Sequence, residues 1–74
     1  MSRLPNLSAK NLVKALKRAG FAEDTQRGSH LYLWHEQKKI LTSVPMHSGD
    51  LKRSLLKAII KQAGLTESEF RKLL

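Results

Sequence analysis

His30, His35 and His47 are the residues of this 74-residue chain best equipped for chemistry. An imidazole can both take and give a proton near neutral pH. His30 follows Gln26-Arg27-Gly28-Ser29. Gly28 lets backbone approach a phosphate. Ser29 can donate a hydrogen bond, and Arg27 supplies a fixed positive charge. Together these suit cleavage of an RNA phosphodiester. RNA carries its own nucleophile, the 2′-hydroxyl, so a histidine need only move protons while nearby cations stabilise charge on the phosphate. By residue type and spacing alone, His30 fits this role or that of an ordinary surface histidine at a turn–strand junction. His47, in the loop before the second main helix, fits a phosphate contact, a helper for His30, or a solvated loop residue. His35 shares its alternation with Leu31 and Leu33, which predicts a partly buried structural side chain.

Other chemistries find no footing. There is no Ser-His-Asp spacing, no H-E-x-x-H and no Gly-rich phosphate loop ending in Lys-Ser or Lys-Thr. The six acidic residues are scattered, unlike a two-metal nuclease site. An enzyme built from this chain is expected to need no metal and no cofactor. The absence of cysteine rules out disulfides and thiolate metal sites. Fourteen Lys and Arg against six Asp and Glu give a net charge of +8, which favours a polyanionic partner, either nucleic acid or an acidic protein. No signal-peptide core opens the chain, and no apolar run approaches the ~20 residues of a membrane span. A cytoplasmic location is expected. At this size a deep substrate cavity is not, because so small a domain buries only about 60% of its unfolded surface.

The elements that must position these residues follow from periodicity. Ser8 is a good N-cap for a helix to Ala19 with Leu12, Leu16 and Ala19 on one face. Gly20 stops it, and Phe21 can close the turn back onto it. Lys10, Lys14 and Lys17 form a cationic stripe opposite. Phe21 to Thr25 is a weak strand candidate, since Glu23 and Asp24 are poor strand formers. Gln26, Arg27 and Gly28 suggest a turn. From His30 to His35 two residue sets alternate, and Tyr32 and Trp34 lie with His30, where they could stack on bases or pack on a protein partner. Ile40 to Val44 is a third strand ended by Pro45. A helix over Lys52 to Ala63 has an apolar face of Leu55, Leu56, Ile59, Ile60 and Ala63, and a cationic stripe of Arg53, Lys57 and Lys61. Gly64 ends it. Thr66 and Glu69 form a capping box for a short last helix carrying Phe70, Leu73 and Leu74. The expected fold is α+β, an α-β-β-β-α order with an extra C-terminal helix, as in double-stranded-RNA-binding domains. Both main helices should pack on one face of a three-stranded antiparallel sheet. Residues 1–74 are expected to form one domain.

In this setting the chain resembles the HicA toxin family. The matching segments are Leu4-Pro5-x-Leu7-Ser8-x-Lys10, Leu16-x-x-Ala19-Gly20-Phe21, Gly28-Ser29-His30, Val44-Pro45-Met46-His47-Ser48-Gly49 and Ile59-x-x-Gln62-Ala63-Gly64-Leu65. They fall in order and span nearly the whole chain. The resemblance implies a double-stranded-RNA-binding-like fold, endoribonuclease cleavage of mRNA and a cognate HicB-type antitoxin. It puts the catalytic histidine at His30. Arg27, Gly28, Ser29, Lys10, Lys14 and His47 are the expected RNA contacts. The chain departs from the family where Lys52-Arg53-Ser54 replaces a common Lys-Pro-Gly and where the first strand is less apolar. The competing expectations are a small RNA-binding module without catalysis and a domain that binds only an acidic protein.

Overall fold

The computed structural model describes residues 4–74, so residues 1–3 of the expected 1–74 span lie outside the described residues. Six elements follow in order: α1 (Ala9–Arg18), β1 (Ala22–Arg27), β2 (His30–His35), β3 (Ile40–Pro45), α2 (Arg53–Gln62) and α3 (Glu67–Arg71). This is the expected α-β-β-β-α order with a short C-terminal helix.

Each helix starts and stops for a local reason. The Ser8 hydroxyl accepts the Asn11 N–H at 3.2 Å and caps α1. At its far end Gly20, with φ +105°, turns the chain so that Phe21 N–H reaches Leu16 O and Gly20 N–H reaches Lys17 O. That pair of bonds is a Schellman motif. Gly64 repeats the device after α2, with Leu65 N–H on Ile60 O. The capping box of α3 is present: Thr66 Oγ1 accepts from Glu69 N–H, and a Glu69 carboxylate oxygen accepts from Thr66 N–H. A five-residue helix cannot stand alone. Phe70, 0% exposed, anchors it, and such burial contributes about 2–3 kcal/mol.

The sheet order is β1-β2-β3, antiparallel throughout. Leu31, Leu33, Thr42 and Val44 face inward beneath α1 and α2, where they meet Leu12, Leu16, Leu56, Ile59 and Ile60. The helices pack chiefly toward β3. All six residues of β1 are therefore exposed.

The first strand differs from expectation. It covers Ala22–Arg27 rather than Phe21–Thr25, so Gln26 and Arg27 are its last residues, not part of a turn. Phe21 is instead buried against the end of α1, at 3% exposure. Ladder bonds to β2 outweigh the poor strand propensity of Glu23 and Asp24. The turn is two residues, Gly28 and Ser29, joining the cross-strand pair Arg27 and His30. Gly28 has φ +57°, the first central position of a II′-type hairpin. Pro45 closes β3 as its last residue, which an edge strand tolerates.

The second helix also differs in detail. Its N-cap, Lys52, makes no side-chain capping bond. The start of α2 is held by tertiary contacts: Arg53 Nε donates to Leu4 O at 3.1 Å, Leu51 N–H donates to Leu7 O at 2.8 Å, and Ser8 pairs with Asp50. Leu55 leaves the expected apolar face and is 38% exposed. Leu73 and Leu74, expected on the last helix, both lie beyond α3, and Leu74 is half exposed.

Candidate nucleic-acid interface

The strand period of two puts His30, Tyr32 and Trp34 on the outer face of β2, away from the helices. Opposite them on β3 stand Pro45, Ser43 and Leu41. His30 therefore sits at one end of the uncovered face, between Arg27 of β1 and Pro45 of β3.

Beside His30 the sheet and α2 enclose an open groove of about 690 Å³. Its lining includes His30, Ser43, Pro45, His47, Leu55 and Lys61. The floor is the outer ends of β2 and β3. The wall is the flank of α2 that carries Leu55, Ala58 and Lys61. The loop bearing His47 is tied to the hairpin bearing His30, since Met46 N–H donates to Ser29 O at 2.6 Å. Two imidazoles and one ammonium thus face one solvent-filled space. One face of that space is apolar, which suits the sugar and base of a nucleotide, and the charged groups suit its phosphate.

The expected site residues divide into two groups. His30, His47 and the Arg27-Gly28-Ser29 hairpin come together. Adding a Cβ at Gly28 would meet nothing within 4 Å, so its positive φ, not crowding, calls for glycine there. Lys10 and Lys14 do not join them. They lie exposed on α1, whose buried face packs on the opposite side of the sheet. Lys14 borders a separate depression with Leu7, Asn11, Arg18 and Leu74. Lys17 forms an ion pair with Glu23. The residues that sequence reasoning missed come from α2. Lys61 stood out only as part of a helical stripe, and nothing in the sequence says which flank of α2 meets the sheet end.

His35 occupies the inner face and is 7% exposed, the structural place its alternation predicts. Its Nε2 lies 3.1 Å from Ala19 O and must donate to it. Its Nδ1 accepts from Lys38 N–H at 3.1 Å. The ring also meets Phe21 edge-on, with centroids 5.1 Å apart. Two bonds of opposite sense fix one tautomer, with the proton on Nε2.

Among the described residues, no group of three or more His, Asp or Glu side chains is arranged to hold a metal ion. No helix of the described residues is long and apolar enough to cross a membrane. Two carboxylates have shifted titration. Glu36 is held below the ordinary carboxylate range by Lys39, and secondarily by the Trp34 indole N–H, 2.9 Å away. Glu69 is lowered by the Thr66 backbone N–H and then by its hydroxyl. Neither belongs to the groove.

The fold and site together define a small basic α+β domain with one sheet face open and two histidines in a groove at the end of that face. The family model of the HicA toxin of bacterial toxin–antitoxin systems matches residues 9–65. The chain belongs to the HicA toxin family. A search of curated proteins returns no match.

Proposed function

We propose that this protein is the ribonuclease toxin of a toxin–antitoxin pair, cutting mRNA by proton transfer through His30. The observation that carries this reading is the shared groove of His30, His47 and Lys61, in a chain of the HicA toxin family. The substrate is an RNA strand whose scissile phosphate lies over the Arg27-Gly28-Ser29 hairpin. The 2′-oxygen attacks phosphorus and gives its proton to a base. The P–O5′ bond breaks, and the leaving oxygen takes a proton from an acid. His30 would fill one of these roles, and His47, which lines the same groove, the other. Arg27 and Lys61 offset charge on the phosphate. The products are a 2′,3′-cyclic phosphate and a 5′-hydroxyl, and no group outside the chain and its substrate enters the proton balance.

A HicB-type antitoxin would inhibit by covering the His30 groove, and would stabilise the toxin by mass action. The test is purified antitoxin-free protein on defined RNA, wild type beside His30→Ala. Wild type is expected to cut and leave cyclic phosphate ends, and the variant to lose cutting while keeping its fold. Intact RNA with wild-type protein would refute the reading. RNA affinity and growth arrest that both survive His30→Ala would point to the non-catalytic RNA-binding module instead.

A further inference from the structure

The outer sheet face carries a second recess, which shares only Arg27 with the proposed cleavage chemistry. It holds about 190 Å³ and is lined by Asp24, Thr25, Arg27, Tyr32 and Leu41. We propose that this recess is a nucleobase subsite. It would hold one unpaired base of the RNA and favour bases with an exocyclic amino group over uracil. The proposal rests on the ribonuclease reading for the identity of the strand, and extends it to a substrate class.

A β-bulge builds the recess. Glu23 pairs with Leu33 and Thr25 with Tyr32, so Asp24 is the extra residue in β1. A bulge sets two residues of one strand against one of its partner and re-aims their side chains. Glu23 points to the helix side, where it meets Lys17. Asp24 and Thr25 are left together on the outer face beside Tyr32. Without the bulge, Arg27 would turn to the inner face, since a one-residue slip reverses every later side chain.

The volume suits a small guest: about 190 Å³ gives room for one planar ring but not for a whole drug-sized ligand, which needs about 300 Å³ or more. The chemistry decides its kind. Tyr32 offers a ring face and Leu41, 47% exposed, offers an apolar neighbour. The Asp24 carboxylate only accepts hydrogen bonds, so it suits the amino group of cytosine or adenine, or the N1–H and amino group of guanine, whereas uracil's one ring donor, N3–H, lies between two carbonyl oxygens that a carboxylate repels. Arg27 stands between the recess and His30 as His30's cross-strand partner. Tyr32 lies two residues along β2 from His30, roughly 6.8 Å, about one nucleotide of extended strand. The net charge of +8, with Arg27 beside the recess and Lys61 on the adjoining groove, matches a polyanionic occupant. A base in this recess must be out of a duplex, so the substrate is single-stranded at the cut.

Binding of short 2′-O-methyl oligonucleotides tests this with the full-length wild-type protein, because they lack the nucleophile and stay intact. Trp34, the single tryptophan, lies on the same face and reports binding by fluorescence. Pentamers of C or A should bind at least about tenfold tighter than pentamers of U, and a duplex of equal length more weakly than either. Tyr32→Ala should weaken the C and A pentamers on the order of five- to 150-fold. Asp24→Ala removes a negative charge and raises all affinities, so its readout is the ratio: the preference over U should disappear. A thermal melt of each variant confirms folding, and Tyr32→Phe, which keeps the ring, should bind like wild type. The inference is overturned if Tyr32→Ala binds within twofold of wild type, as it would were the face reserved for an acidic protein. It is equally overturned if the preference survives Asp24→Ala or if the duplex binds best. His30-dependent cutting combined with such indifference would sink the base subsite alone. The stated preference without any cutting would sink only the ribonuclease reading.

Discussion

His30 and His35 open and close the same six-residue strand and share almost nothing else. His35 looks inward, touches Phe21 and Gly20, and has both ring nitrogens engaged by backbone. His30 looks outward onto a groove with His47 and Lys61. Their separation is odd, five residues, so the strand period puts them on opposite faces. The residue type is the same, and its surroundings set its use. A ring locked in one tautomer between two backbone partners is a structural clasp that ties the β2–β3 turn to the end of α1. A ring on an open groove beside Lys61 is within reach of a substrate, which the proposed cleavage requires.

The largest effect that would break this contrast comes from His30→Ala. RNA cleavage should fall by about 10²- to 10⁴-fold, the range for losing a general acid or base, with an unchanged melting temperature. Measured single-turnover cutting beside a thermal melt separates the two readouts. A matching loss of stability would show His30 to be structural after all. His35→Ala should do the reverse. It removes a buried ring and strands Ala19 O and Lys38 N–H, costing about 2–4 kcal/mol in a urea unfolding curve. Any activity loss should track the unfolded fraction.

Gly20→Ala sharpens the same clasp. A Cβ there would lie 2.7 Å from His35 Nε2, and the φ of +105° disfavours any side chain. A cost of about 1–3 kcal/mol is expected. Gly28→Ala meets no neighbour and should cost less, through its φ alone. Equal penalties at the two glycines would argue that His35 does not press on Gly20.

The smallest effects lie at the periphery. Thr66→Ala should cost about 1 kcal/mol by removing the cap of α3. Glu36 and Glu69 are both held below the ordinary carboxylate range, near 4.5, in the folded chain. Their contribution to stability is full above that range and is lost as pH falls through their lowered native values. Urea midpoints measured from pH 6 down to 3 should decline, and Glu69→Gln should flatten the decline slightly.

Much of this arrangement is legible in local residue patterns. Ser8, Gly20, Gly64 and the Thr66/Glu69 pair mark helix ends because capping and the left-handed conformation are short-range matters. The alternation from His30 to His35 separates the two histidines because a strand has a period of two. Arg27 and Phe21 were harder. Whether they fall in a strand or a turn depends on ladder bonds to β2 and on burial at the end of α1, neither of which is local.

The amino-acid sequence alone determined the order of the elements, the inward and outward faces of β2 and the positive charge. The resemblance to the HicA toxin family made His30 the residue to test. Only the tertiary structure decided what stands around it. The flank of α2 that meets the sheet brings Lys61 and Leu55 to the groove. The packing of α1 on the inner face takes Lys10 and Lys14 away from it. The bulge at Asp24 opens a recess that no periodicity announces. Sequence spacing fixes which way a side chain points within its own element, whereas the neighbours it meets depend on how elements far apart in the chain are packed.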